Sequence, residues 1–406
     1  MAGEAGLAVS RFLVVLPPFV GHVNPTLGIA DELVRRGHDV AWVGIAHWLR
    51  GFVGPHAVIY DAMCSEFVTR VDRRPADLRG AAALKYLWED YLIPLATAMV
   101  GAVTDAARAF APDVIVADQH ALAGALVAER LGIPWATSAT TSAELVQPFA
   151  PKVDAWIKAH LDALRARFGD PAATTDLRHS SELVLAYTTD MFVGQASRPV
   201  KFIGPVISGR VEDSWRPPVS DGVPTVLVTL GTANKDVSAR FLTACAEAFA
   251  SRGGAVRAII ADPAGHLGSQ PDWITVRPHV PQLALMRHVN LVVCHAGHNT
   301  VCEALWHGVP LVVAPIRDDQ QIIAEQTVTA GVGRRIRFAR ATAAHVGAAV
   351  DTVLADPAYR DAAAHVRHSF HAAGGAAAAA DHLENVTRRP DMEWVSRGKR
   401  SAAAMN

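Results

Sequence analysis

Cysteine is scarce in this chain: four thiols in 406 residues, at positions 64, 245, 294 and 302. None forms a Cys-x-x-Cys pair. A disulfide framework is therefore not expected, and reduced thiols in a cytoplasmic location are. Charge of one sign is also lacking. Thirty-eight Lys and Arg stand against 39 Asp and Glu, for a formal net charge of −1. That balance gives no basic footprint for nucleic acid and no polybasic patch for a membrane surface. No run of about 18 residues free of charges and breakers reads as a membrane span. The first ten residues lack a basic region followed by a long apolar core, so no secretory signal is expected. Also missing are an Asp-x-Asp motif and any His/Cys/carboxylate cluster at metal-ligand spacing, so no metal site is expected. What is present is ordinary globular material, with half of the residues hydrophobic and 19% charged. The length suggests more than one domain.

The order of elements reads as α/β. Phe12 to Leu16 is a short apolar run ended by Pro17-Pro18, suited to a buried parallel strand. A loop, Phe19-Val-Gly-His-Val-Asn24, is expected next, with Asn24 capping a helix that has Pro25 in its first position. That helix is predicted to stop at Arg35-Arg36-Gly37, before a strand at Val40–Val43. Val114 to Ala117 is a further strand ending in Asp118, with a helix over Ala121–Leu131. Segments 60–95 and 138–170 have a helical period and many aromatics. Between 207 and 224 proline, glycine and polar residues crowd together as in a linker. A second series follows, with strands at Thr225–Leu230, Ala255–Ala261, Ile274–Arg277, Leu291–Cys294 and Val309–Ala314. Right-handed crossovers make such strands parallel. The expected organisation is two doubly wound domains facing a cleft, spanning 1–206 and 225–384, joined by the 207–224 linker. A polar tail over 385–406 would pack back toward the first domain.

The densest signal lies at Cys294-His-Ala-Gly-His-Asn-Thr-Val-Cys-Glu303. A buried strand runs into a glycine-bearing turn and then a helix, expected to start near Asn299-Thr300. A helix N-terminus offers free N–H groups and a positive dipole end, which suit an anion. Gly297 would let the anion approach the backbone. Gly231-Thr232 forms a second such turn, and the two together would clamp a diphosphate. Thr300-Val-Cys-Glu303 is also a capping box, so Glu303 has a purely structural alternative. His295 alone could be a buried core histidine. Capping does not explain the Pro315-Ile-Arg-Asp-Asp-Gln320 stretch downstream.

With Val280-Pro-Gln282 before it and Gly308-Val-Pro310 after it, this stretch resembles the donor signature of the GT-B glycosyltransferases that include plant UDP-glucosyltransferases and bacterial macrolide and antibiotic glycosyltransferases. The N-terminal Gly21-His22-Val-Asn-Pro25 and the Leu230-Gly-Thr232 turn extend the likeness across nearly the whole chain. The resemblance implies two Rossmann-like domains and a UDP- or dTDP-hexose donor. Val280 and Gln282 would then border the nucleobase. His295 and Thr300, with the backbone at Gly297 and Asn299, would hold the diphosphate, and Gly231 and Thr232 would close over it. Glu303 would accept from ribose hydroxyls, and Asp319 and Gln320 would hold the sugar. His298 stands where the plant members usually carry an aromatic residue. His22 would be the general base, oriented by Asp118 as the acid orients the histidine of a catalytic triad. Asp118 has a structural alternative as the cap of the next helix.

The expected function is inverting, metal-independent transfer of a hexose to a hydroxyl or related nucleophile on a small hydrophobic natural product. No cofactor beyond the nucleotide sugar is expected, nor any nucleic-acid partner; the protein would be a monomer or homodimer. Acceptor contacts are expected from aromatics such as Phe67, Tyr86, Trp88, Tyr91, Trp135, Phe149 and Trp156. Other readings are a lipid-linked GT-B transferase, a sugar epimerase, or a pseudo-transferase that acts on a partner. The first would want an exposed apolar and basic patch, and the last would be expected to lose the site residues present here. His365, His368 and His371 recur at helical spacing and read as a solvated face, not a metal site.

Overall fold

The apolar runs form parallel strands in two separate sheets. The computed structural model describes residues 9–70, 75, 78, 80–146, 149–210, 222–231, 234 and 237–388. The first sheet holds β1 (Arg11–Val15), β2 (Asp39–Gly44), β3 (Val58–Asp61), β4 (Val114–Asp118), β5 (Trp135–Ala139), β6 (Leu183–Ala186) and β7 (Lys201–Phe202), in the order β3-β2-β1-β4-β5-β6-β7. The second holds β8 (Thr225–Thr229), β9 (Arg257–Ala261), β10 (Ile274–Arg277), β11 (Leu291–Cys294), β12 (Leu311–Val313) and β13 (Gly333–Arg335), in the order β10-β9-β8-β11-β12-β13. Every strand pair is parallel. β1 lies inside its sheet, with Phe12 opposite both Val40 and Val114. Its Phe12, Leu13 and Val15 are fully buried because helices cover both faces of the sheet.

In each sheet the chain winds outward from a first strand and returns to that strand's other side. The reversals fall between β1 and β4 and between β8 and β11. Adjacent crossovers there lie on opposite faces, which opens a crevice at the carboxyl ends of those strands. His22 follows β1 and Asp118 ends β4. Gly231 follows β8 and His295 follows β11. The expected site residues thus follow the strands that flank the two reversals.

The chain returns to its first domain at its end. Helix Gly375–Thr387 packs against helix Val20–Arg35, with Ala379, Ala380, Leu383 and Val386 in one apolar cluster with Leu27, Ala30 and Leu33. The small alanines allow the close approach. Arg36 fixes the contact through Asp381 at 2.6 Å and Glu384 at 3.0 Å, and His38 adds Glu384 at 3.3 Å. The segment that crosses back is therefore this helix; residues 389–406, most of the expected tail, lie outside the described residues, as do 211–221 of the linker.

Two local expectations change. The first helix spans Val20–Arg35, not a start after Asn24; Phe19 is its N-cap and Pro25 lies inside it. His22 therefore sits on the first turn of a helix. In addition, the 60–95 segment divides. β3 takes its start, and Gly80–Phe110 is one continuous helical run with a π-helical turn at Tyr86–Leu92. That run has the length and composition of a membrane span, but half of its apolar window is buried inside the protein. Trp88, Tyr91, Leu95, Met99 and Val103 pack into the first domain's core.

Candidate active site

His22 is held on one side by a closed polar set. Its Nδ1 lies 2.9 Å from both carboxylate oxygens of Asp118. The Asp118 side chain is fully buried, while that of His22 retains 16% of its exposure. Thr140 Oγ1 sits 2.7 Å from the same Nδ1 and donates to Asp118 Oδ2 at 3.1 Å. The His120 N–H donates to Asp118 Oδ1 at 2.8 Å. Asp118 therefore makes a turn to the residue two positions on, while Ala121 is the N-cap of helix Leu122–Leu131, so the capping alternative does not apply. A carboxylate accepts only, so Nδ1 carries the proton facing it and Nε2 is the basic nitrogen. Phe19 lies against His22 at 5.2 Å between ring centroids and stacks on Tyr91 at 5.1 Å.

His120 completes this side. Its ring lies 4.9 Å from that of His22. One ligand atom from each of His22, Asp118 and His120 falls within 4.8 Å of the others, a spacing at which such groups can hold a metal ion. No cluster of this kind was expected from the sequence, because His22 is 96 residues from Asp118. Only folding brings them together.

Across the cleft, His295 is clasped between two glycines. A Cβ at Gly231, whose φ is +69°, would lie 2.8 Å from His295 Cε1, and one at Gly297 would collide with His295 Nε2. A side chain at Gly297 would therefore have to displace the imidazole. Burial pushes the His295 pKa down to about 4, so the ring is neutral at pH 7. Its Nδ1 is buried without a partner among the described residues. Thr232 lies outside the described residues.

The helix after this turn spans His298–Trp306, with Gly297 at its N-cap and no side-chain cap. It starts ahead of the expected Asn299-Thr300. Thr300 is thus inside the first turn, and the capping box with Glu303 does not form. The first-turn amides are left for a ligand. Glu303 is instead held by side chains: Arg210 pairs with Oε1, and Gln282 Nε2 donates to Oε2 at 2.7 Å. Gln282 also donates to Thr300 at 3.4 Å and accepts from Thr229 at 3.2 Å. Val280 packs half-buried against the core that contains Cys294. Arg210 was missed because it lies in a stretch read only as linker.

Several expected donor residues contact the first domain. Asn299 Nδ2 donates to the Gly21 carbonyl at 2.6 Å. His298 faces Ser142 at 3.5 Å and Cys302 Sγ at 3.6 Å, and its burial lowers its pKa to about 4. Thr141 donates to Asp319 Oδ2 at 2.5 Å, and burial raises the Asp319 carboxyl to about 6. Gln320 Oε1 accepts from the N–H groups of Ile316 and Arg317 at 2.9 and 3.1 Å, so its carbonyl shapes its own loop. Of the expected acceptor aromatics, Phe67, Trp88, Tyr91 and Trp135 are buried in the core, while Phe149 and Trp156 are half-buried at its edge. His365 and His368 are exposed, and His371 stacks on Trp306 at 3.9 Å.

Two parallel-sheet α/β domains facing one cleft, with a histidine–aspartate pair on one side and an amide-lined helix end on the other, define a GT-B glycosyltransferase that uses a nucleotide sugar. Residues 208–372 match the family model described as UDP-glucoronosyl and UDP-glucosyl transferase. The chain is similar to that family over those residues, and its relatives over nearly the whole length include glycosyltransferases of bacterial natural products. It is 28% identical to 4'-demethylrebeccamycin synthase of Lentzea aerocolonigenes, covering 93% of this chain and 99% of that one. It is 29% identical to demethyllactenocin mycarosyltransferase of Streptomyces fradiae, covering 95% and 87%. The solved glycotransferase of kitacinnamycin superimposes with a TM-score of 0.77 at 27% identity, covering 93% of this chain and 99% of that one.

Proposed function

We propose that the chain transfers a hexose from a UDP- or dTDP-sugar to a hydroxyl of a small, largely apolar natural product, with inversion and without a metal. The observation that carries this reading is the pairing of His22 Nδ1 with both oxygens of the buried Asp118. Nε2 is left to take the acceptor proton as the acceptor oxygen forms its bond to the anomeric carbon. The bond from that carbon to the diphosphate breaks, and the nucleoside diphosphate leaves with the electron pair. Asp118 stabilises the imidazolium. Attack from the His22 side, opposite the diphosphate, inverts the anomeric centre.

The departing charge meets the first-turn amides of helix His298–Trp306 and a neutral His295. Preorganised donors of this kind stabilise an anion without a metal. Glu303 and Gln282 would meet the nucleoside, and Asp319 and Gln320 the sugar. The four cysteines are free and buried, which supports a cytoplasmic location.

The test is His22→Ala assayed with a panel of UDP- and dTDP-hexoses and aromatic or polyketide acceptors. Transfer should be abolished while nucleotide binding stays within about twofold of wild type. Equal loss of both would remove His22 from the role of base. Transfer should also survive EDTA, and a strict metal requirement would overturn the metal-free reading.

A further inference from the structure

His120 has no role in the scheme above, yet its ring lies 4.9 Å from the ring of the base. Its backbone ties it to Asp118, so its position is fixed by the same carboxylate that orients His22. The side chain is half-buried. Nδ1 is sealed from solvent without a partner, and no described residue bonds to Nε2. A sealed imidazole N–H without an acceptor costs more than an idle lone pair. The favoured tautomer therefore has its proton on Nε2, the nitrogen on the ring's open side. Burial, reinforced by the neighbouring His22, lowers the His120 pKa to about 3. The ring stays neutral and does not compete for the acceptor proton.

We propose that His120 is an acceptor-positioning residue: its Nε2–H donates to a lone-pair oxygen on the acceptor adjacent to the hydroxyl that His22 deprotonates. The inference rests on the transferase reading above and narrows its acceptor class. The substrate carries its reacting hydroxyl beside a carbonyl, ether or phenolic oxygen, so that neighbouring atoms meet neighbouring imidazoles. An isolated alcohol on a hydrocarbon frame would use only His22.

The test compares two flat aromatic probes, 1-hydroxyanthraquinone, whose hydroxyl has a carbonyl beside it, and 1-anthrol, which lacks that carbonyl. Dissociation constants are measured by calorimetry with UDP bound, and KM and kcat are measured where transfer occurs. Wild type should prefer the carbonyl probe. His120→Phe keeps a ring but no donor; it should weaken that probe by about tenfold, leave 1-anthrol within about twofold, and leave UDP affinity unchanged. His120→Asn, which retains an N–H donor, should keep much of the preference. If the phenylalanine variant does not fold, His120→Met replaces it. No preference in wild type, equal weakening of both probes, or a preference untouched by Phe or Met overturns the proposal. Failure to bind any nucleotide would instead count against the transferase reading, which the UDP titration reports separately.

Discussion

Asn299 and Gly21 are joined across the cleft at a carbonyl whose usual helical donor would be the N–H of residue 25. Pro25 has no N–H, so the carbonyl four residues before it, Gly21, has no helical donor. The Asn299 side-chain amide supplies one at 2.6 Å. The amide-rich helix end of the donor side is thereby hydrogen-bonded to the turn that carries His22.

Removing that bond should loosen the base more than the fold. Asn299→Ala is expected to lower kcat by about tenfold, the value of one hydrogen bond of about 1.4 kcal/mol, with a smaller change in thermal stability. Pro25→Ala supplies a competing backbone donor to Gly21 and should act in the same direction. If the two substitutions act through one carbonyl, the double variant will fall short of their combined effect. Additive losses would show that Asn299 acts elsewhere.

The strands that build the cleft were legible because buried parallel strands leave near-continuous apolar runs, as at Phe12–Val15 and Leu291–Cys294. Among the strands that escaped, β3 is half-exposed, β7 has two residues and β13 reads Gly-Arg-Arg, while β6 is buried and apolar but only four residues long. The residues expected to hold the donor could be singled out because all but Gly231 and Thr232 lie within 280–320. His120 and Arg210 were not. Each acts through a partner distant in sequence or in a segment whose composition signals only a linker. The start of the first helix was placed late because Pro25 reads as an N-terminal residue, and local sequence cannot show that Asn299 satisfies the carbonyl that Pro25 frees.

Asp319 should leave a mark on the pH dependence of stability. Its carboxyl is raised to about 6 by burial, against an ordinary value of 3.8, despite the Thr141 hydrogen bond. The folded state therefore binds the proton more tightly than the unfolded state. Its contribution is fully present below about pH 4 and is lost as pH rises through 6. A shift of this size is on the order of 3 kcal/mol. Asp319→Asn cannot ionise, so its stability relative to wild type should improve between pH 4 and 7, read as a widening difference in urea midpoint. A constant difference across that range would mean that Asp319 titrates normally.

Glu303 should prove to be a binding residue, since the capping box is absent. Glu303→Ala is expected to weaken nucleotide affinity by about 1–3 kcal/mol, the worth of hydrogen bonds to a charged group. The same change strands Arg210, so a stability loss is expected with it. Arg210→Met with Glu303→Ala removes both charges and should recover stability without recovering nucleotide affinity. Recovery of both in a calorimetric titration would assign Glu303 to the fold alone.

Gly297 offers the cleanest separation of contact from conformation. Its φ of −66° and ψ of 134° are open to any residue, so alanine there carries no backbone penalty. The nearest atoms that a Cβ would meet all belong to the His295 ring. Gly297→Ala should displace the imidazole, weaken UDP binding by about tenfold or more, and destabilise the fold by about 1–3 kcal/mol through overpacking. Adding His295→Ala vacates that space. The double variant should regain the stability lost to Gly297→Ala, while its nucleotide affinity stays at the level of His295→Ala. If stability does not return, the glycine serves the path of the chain, and the clasp around His295 is not what demands it.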